Sequence, residues 1–257
     1  MRLSVREAGD PKGPPVVLLH AFPLSSAMWE PQFEALKAYR VLAPDLRGFG
    51  ATPLVAPWFI EHAVDDALET LSSLGVPEAV FVGLSMGGYA ALRAVQKAPS
   101  RVKALVLCDT RAEADADENK VKRAAAVDAV RARGVPAFVG PFLDGALAPP
   151  ASTGNPKAAA FLKSVAEKAS PEAVMAALAA LTARADTTAA LPGIKVPTAL
   201  LFGAEDKITP PSLGEGLRAR IPGAQLHLIP GAGHFPNVEN PAAFNERLVS
   251  FLKRLPR

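Results

Sequence analysis

Five short apolar runs constrain the fold more than any other feature of the chain. Val16–Leu19, Arg40–Ala43, Ala79–Val82, Ala104–Cys108 and Thr198–Phe202 are continuous rather than alternating, and each ends in Gly, Asp, His or a turn. A strand with one wet face alternates apolar and polar residues, whereas a continuous run needs cover on both faces, as in a parallel sheet. Segments of helical spacing lie between them. Trp29–Lys37 follows Ser25 and Ser26, and Met86–Ala98 follows the third run directly. Ile60–Leu74 puts Val64, Leu68, Leu71 and Leu74 on one stripe and stops at Gly75, a favoured helix terminator. Ala242–Leu252 is a last helix. Strands alternating with helices of this length predict right-handed crossovers and an α/β, doubly wound, mostly parallel sheet. Gln225–Ile229 alternates more, which suits a strand nearer an edge.

One stretch breaks the alternation. From Ala112 to Ala190 there is no strand pattern, only helical pattern interrupted by Gly and Pro. Glu118–Arg133, Pro136–Leu147 and Asn155–Ala169 read as helices. A fourth starts with Ser170 as N-cap, Pro171 at the first helical position and Glu172 at the positive end of the dipole. The expected division is a core of residues 1–111 and 191–257, with 112–190 inserted as a helical cap. The 257 residues suffice for one such core. Lys and Arg are scattered despite a net charge of +3, so no nucleic-acid partner is expected. No apolar stretch reaches the length of a membrane span, and Met1–Glu7 lacks a signal-peptide core. A soluble, cytoplasmic chain is the expectation. Cys108, the single cysteine, reads as a small apolar residue within its strand rather than a catalytic thiol.

The chemistry gathers at turns. Gly83-Leu-Ser-Met-Gly87 lies between a buried strand and a helix, where glycines admit backbone contacts that side chains would block. Such a turn lifts Ser85 above the carboxyl edge of the sheet, at a helix N-terminus that favours negative charge. A serine hydroxyl needs a base to become a nucleophile. Of four histidines, His62 reads as a surface residue, His227 as a strand residue, and His20 as the end of the first parallel strand. His234, in a loop just past a strand, is the expected base. A carboxylate must fix its tautomer. Asp206 follows the Thr198–Phe202 strand and is the expected partner, with Asp109 as a rival at the end of another strand and Glu205 adjacent.

These residues together resemble the α/β-hydrolase fold family, with a helical cap, from about Val16 onward. The order Ser85, Asp206, His234 matches that family. His20-Ala-Phe-Pro23 resembles its His-Gly-x-Pro loop, with Ala21 standing where the pattern has glycine, and Pro44-Asp-Leu-Arg-Gly-Phe-Gly50 resembles its Asp-x-Arg-Gly-x-Gly turn. The resemblance implies an oxyanion hole made by the Phe22 and Met86 N–H groups, with His20 shaping the loop. It also implies a sheet one member short, since only Leu3–Glu7 is a candidate strand ahead of Val16. No metal or organic cofactor is required.

Within the family, the texture is closest to small carboxylesterases and to enol-lactone hydrolases such as 3-oxoadipate enol-lactonase, which share Gly-Leu-Ser-Met-Gly-Gly. The expected partner is a small-molecule ester or lactone, and the preferred reading is an esterase for short to medium acyl chains. Cofactor-free perhydrolysis scored as haloperoxidase activity, or slow turnover in a ligand receptor, are the other roles this fold carries. Met28, Trp29, Phe138 and Phe142, with Phe161 and Met175, are candidates to line the substrate space. No cationic pair in the cap argues for a dicarboxylate.

Overall fold

The computed structural model describes residues 1–150 and 154–256. Residues 151–153, inside the stretch read as the cap, and Arg257 lie outside the described residues. The core opens with β1 (Val5–Gly9), β2 (Pro15–Leu19) and β3 (Arg40–Pro44). Next come α1 (Ile60–Ser73), β4 (Ala79–Leu84), α2 (Met86–Lys97) and β5 (Val102–Cys108). Four inserted helices follow among the described residues: α3 (Asp117–Arg133), α4 (Pro136–Ala146), α5 (Pro156–Ala166) and α6 (Pro171–Ala183). The core resumes with β6 (Thr198–Gly203), α7 (Pro211–Arg220), β7 (Gln225–Ile229) and α8 (Pro241–Lys253).

The strands form one seven-stranded sheet in the order β1-β3-β2-β4-β5-β6-β7. β1 runs antiparallel to β3, and the other pairings are parallel. β4 and β6 are buried at every position, which is what their unbroken apolar sequences require. Burying each Val or Leu contributes about 1.5–3 kcal/mol, so the central strands are where the sheet is anchored. β7 lies at the edge and leaves Leu228 47% exposed, in keeping with its alternating sequence. The strand ahead of the parallel set is present, but it spans Val5–Gly9 rather than Leu3–Glu7.

Local signals set the helix limits. α1 gives way at Leu74 to Gly75, whose φ of +69° is left-handed backbone that glycine adopts without a side-chain penalty. Ser170 caps α6, accepting the Ala173 N–H at 3.1 Å, and Asn155 caps α5 by accepting the Ala158 N–H at 3.1 Å. The expected Trp29–Lys37 helix is replaced by a 3-10 turn (Ser26–Trp29) and a single helical turn at Glu30–Phe33. Tertiary burial overrides the local pattern here, because Trp29 and Met28 are drawn fully into the core. Among the described residues, no helix is long and apolar enough to cross a membrane.

The inserted helices are held to one another by charge and to the core by a cation–π contact. Asp115 pairs with Arg184 at 2.7 Å and with Arg123 at 2.5 Å, and the Arg184 guanidinium lies 4.3 Å from the centroid of the Tyr89 ring on α2. Thr187 N–H closes the same end, donating to the Ala112 carbonyl at 2.9 Å.

Candidate active site

The turn at Ser85 is built by close backbone approach. Ser85 has φ +52°, a left-handed conformation rare for a residue other than glycine, and sits as N-cap of α2. Its N–H donates to the Cys108 carbonyl at 2.9 Å, and its carbonyl accepts from the Thr110 hydroxyl at 2.9 Å. The glycines are needed for contact. A Cβ on Gly83 would strike the Gly87 carbonyl, and one on Gly87 would strike the carbonyl of Leu19 on β2. Gly87→Ala is therefore expected to push α2 off the sheet and destabilise the protein by about 1–3 kcal/mol, measured by urea or thermal unfolding.

His234 and Asp206 arrive from the two strands on the far side. Asp206 follows β6, His234 follows β7, and both are almost fully buried. Nδ1 of His234 donates to Oδ2 of Asp206 at 2.8 Å. The Thr209 hydroxyl donates to the same oxygen at 2.5 Å and lies 3.1 Å from Nδ1. Oδ1 of Asp206 accepts the N–H groups of Ile208 at 2.8 Å and Thr209 at 3.1 Å. Burial alone would raise the Asp206 pKa. The adjacent His234 and the hydrogen bonds from His234 and Thr209 outweigh it and hold this carboxyl well below the usual range. An ionised aspartate fixing one imidazole nitrogen leaves the other, Nε2, as the basic one.

Asp109, the rival carboxylate, is also fully buried, with φ +43°. Its Oδ1 accepts the Gly203 N–H at 2.8 Å, while Oδ2 has no hydrogen-bond partner among the described residues. Burial, reinforced by the charge of Asp206, pushes its pKa well up and disfavours its ionised form. One atom each of Asp109, Asp206 and His234 lie within 4.8 Å of one another, close enough for a shared cation. The chemistry of this donor set points elsewhere, because His234 Nδ1 donates its proton to Asp206 and has no lone pair left for a cation.

Glu239 carries no signal in the sequence that would single it out. It is buried, and burial raises its pKa against the pull of three backbone donors. Oε1 accepts the N–H groups of Gly233 and Phe235 at 3.0 Å each, and Oε2 accepts Ala148 N–H at 2.8 Å. His234 N–H donates to the Ala146 carbonyl at 2.7 Å. One carboxylate thus holds the histidine loop against the end of α4. No local motif marks a residue whose partners lie as far as 91 positions away.

The remaining histidines and the cysteine are accounted for. His20 is fully buried: Nδ1–H donates to the Ala21 carbonyl at 2.9 Å and Nε2 accepts Leu46 N–H at 3.0 Å, a neutral tautomer that joins two loops. His62, expected on the surface, is half-buried, with its ring 5.6 Å from that of Phe59. His227 is half-buried in β7. Burial pushes the Cys108 thiol well above its ordinary pKa, which removes the thiolate that nucleophilic chemistry needs.

The Phe22 and Met86 N–H groups have no hydrogen-bond partner among the described residues; Met86 follows Ser85 directly, and Phe22 lies on the loop past β2, the strand paired with β4. Buried, unpaired N–H groups are rare.

A cavity of about 310 Å³ opens between the core and the inserted helices. Phe22, Phe138 and Phe142 form one wall, with ring centroids 5.3–6.3 Å apart. Tyr89, Leu178 and Ile208 also line it, with Arg111, Lys122, Arg123 and Lys207. Ser85 and His234 do not themselves line it, but Tyr89 lies one helical turn from Ser85 and Ile208 adjoins the Asp206 loop. Met28 and Trp29 are placed elsewhere. Met28 is buried with Sδ 3.2 Å from Ala21 N, and Trp29 packs near Phe244. Phe161 and Met175 also lie outside the cavity lining, partly buried against the core. The sequence offered no cationic pair, yet the fold gathers cations from three separate segments.

A family model for the alpha/beta hydrolase fold matches residues 14–241, and the chain belongs to that family. It is a hydrolase. The chain is 28% identical over 255 residues to 3-oxoadipate enol-lactonase 1 of Acinetobacter baylyi, covering 98% of this chain and 94% of that protein. It is 32% identical over 245 residues to a pimeloyl-[acyl-carrier protein] methyl ester esterase of Neisseria meningitidis, covering 89% of each. A thermophilic esterase from Thermogutta terrifontis, solved with malate bound, superposes with a TM-score of 0.93 at 34% identity, covering 98% of this chain and 93% of that one.

Proposed function

We propose that the chain cleaves carboxylic esters of short to medium acyl length through an acyl-enzyme on Ser85. The observation that carries this is the buried Asp206–His234 hydrogen bond, set at the same sheet edge as the left-handed turn at Ser85. Ser85 Oγ attacks the carbonyl as His234 Nε2 takes its proton. The oxyanion that forms is met by the Phe22 and Met86 N–H groups, donors of a kind worth about 2.7–4 kcal/mol each in a comparable hydrolase. His234 then passes the proton to the leaving alcohol. Water, activated by the same nitrogen, frees the acid and restores Ser85. Asp206 stabilises the imidazolium throughout, and Thr209 and Glu239 hold the aspartate and the histidine loop in place. The core of 1–111 and 191–257 carries these groups, and the 112–190 cap roofs the cavity.

Lactone hydrolysis is a second reading, favoured by the likeness to 3-oxoadipate enol-lactonase along nearly the whole chain. It uses the same steps, with the leaving oxygen tethered to the acyl group. A panel of esters of graded acyl length, run beside lactones and amides, separates the two. Repeated turnover of short esters supports the esterase, and a lactone preference of an order of magnitude moves the assignment. A single slow covalent event, or bromination that requires peroxide and acetate, would overturn both.

A further inference from the structure

The lining of the cavity carries more positive charge than the chain needs for its own ion pairs. Asp115 is the single carboxylate in the lining, and both its oxygens are engaged, by Arg123 and by Arg184. Arg111, Lys122 and Lys207 remain, without a carboxylate partner within 4.0 Å among the described residues. They come from three segments: the end of β5, helix α3, and the residue after Asp206. Arg111 is fixed, its guanidinium donating to the Ile208 carbonyl at 2.6 Å, which aligns it with the loop that carries Lys207. Gathering like charges around a low-dielectric wall is unfavourable for the empty protein and favours an incoming anion.

Apolar and cationic side chains share the lining. Tyr89 lies one helical turn from Ser85, the stacked Phe138–Phe142 pair and Phe22 supply apolar surface, and Arg111, Lys122 and Lys207 line the same cavity. A substrate with its carbonyl at Ser85 would lay a few methylenes along the phenyl rings and end among the cations. A volume near 310 Å³ is at the lower end for small-molecule sites, which suits a short spacer. We propose that the cavity selects small esters or lactones whose acyl part ends in a carboxylate, recognised by Arg111, Lys122 and Lys207. This rests on the acyl-enzyme reading of Ser85 and narrows its substrate class.

Monomethyl glutarate and methyl pentanoate have the same acyl length and differ in the terminal charge. The expected kcat/KM ratio favours the glutarate ester by at least about tenfold, the scale set by one charge-assisted hydrogen bond. The advantage should shrink as ionic strength rises from about 0.02 to 0.5 M. Lys122→Gln and Lys207→Gln alter exposed side chains, so the fold should survive. Each should lower the ratio, the pair together bringing it close to one. A wild-type ratio near one with brisk turnover of methyl pentanoate would overturn the proposal while leaving the esterase reading intact. So would a ratio indifferent to both substitutions. If neither ester is turned over, calorimetric titration of the Ser85→Ala protein with each still decides: equal affinity for both overturns the anion site, and tighter glutarate binding sustains it.

Discussion

Ser85→Ala is expected to lower kcat on any ester the protein turns over by about 10⁶-fold, the scale seen when a nucleophile of this kind is removed elsewhere. The reason lies in how the steps are coupled. Without Oγ, His234 has no proton to accept, so the ionised Asp206 and its imidazole lose their task together. What remains is binding and the pair of N–H donors, which in related systems leave about 10³–10⁴-fold over water. KM should change little, because Oγ contributes to the transition state rather than to the ground-state complex. The substitution is also gentle on the fold. Alanine occupies the same turn with the same φ, the backbone bonds to Cys108 and from Thr110 persist, and no buried acceptor is orphaned. Steady-state kinetics with a parallel thermal melt checks both halves: unchanged Tm with retained activity would remove Ser85 from the mechanism.

The parts of this site that were legible in the sequence are those written in contiguous residues. Gly83–Gly87 marks its own turn because each glycine answers a local contact, with Gly87 against β2 and Gly83 against Gly87 itself. β4 and β6 announce themselves because total burial demands unbroken apolar residues. His234 and Asp206 could be chosen because loops after parallel strands converge on one edge. Residues whose meaning depends on distant partners were not legible. Glu239 is an ordinary acidic residue until the fold sets it beneath Gly233, Phe235 and Ala148. Arg111, Lys122 and Lys207 are scattered charges until β5, α3 and the Asp206 loop meet. The aromatic candidates split for the same reason. Phe138 and Phe142 face the cavity from α4, whereas Met28 and Trp29 turn into the core, Met28 against the Ala21 N–H and Trp29 beside Phe244. Helical spacing shows that a residue is apolar on one face, not which layer that face meets.

Asp206→Asn is expected to lower kcat by about 10⁴-fold, the effect of the equivalent change in a hydrolase of the same logic. The amide keeps the shape but reverses one polarity. Its oxygen could still accept from the Ile208 and Thr209 N–H groups, but an NH₂ directed at Nδ1 would enforce the wrong tautomer, placing the proton on Nε2 where Ser85 needs a lone pair. Asp109→Asn should behave differently. Burial and the Asp206 charge favour the neutral form of Asp109, which an amide resembles, and an amide oxygen retains the Gly203 N–H bond, so kcat should stay close to wild type. The stability changes should have opposite signs. The depressed pKa of Asp206 gives stability that is present above the ordinary aspartate value of about 3.9 and is lost as pH falls through the depressed one. Removing that carboxylate therefore costs stability at neutral pH. The raised pKa of Asp109 means that folding takes up a proton, so its contribution is fully present below about pH 3.9 and is lost as pH rises toward the raised value. Asp109→Asn removes that loss and should flatten the fall in stability between about pH 4 and 7. Denaturant titrations across that range, beside kcat for each variant, distinguish the two carboxylates. Near-normal kcat in Asp206→Asn with collapse in Asp109→Asn would transfer the role of histidine partner to Asp109.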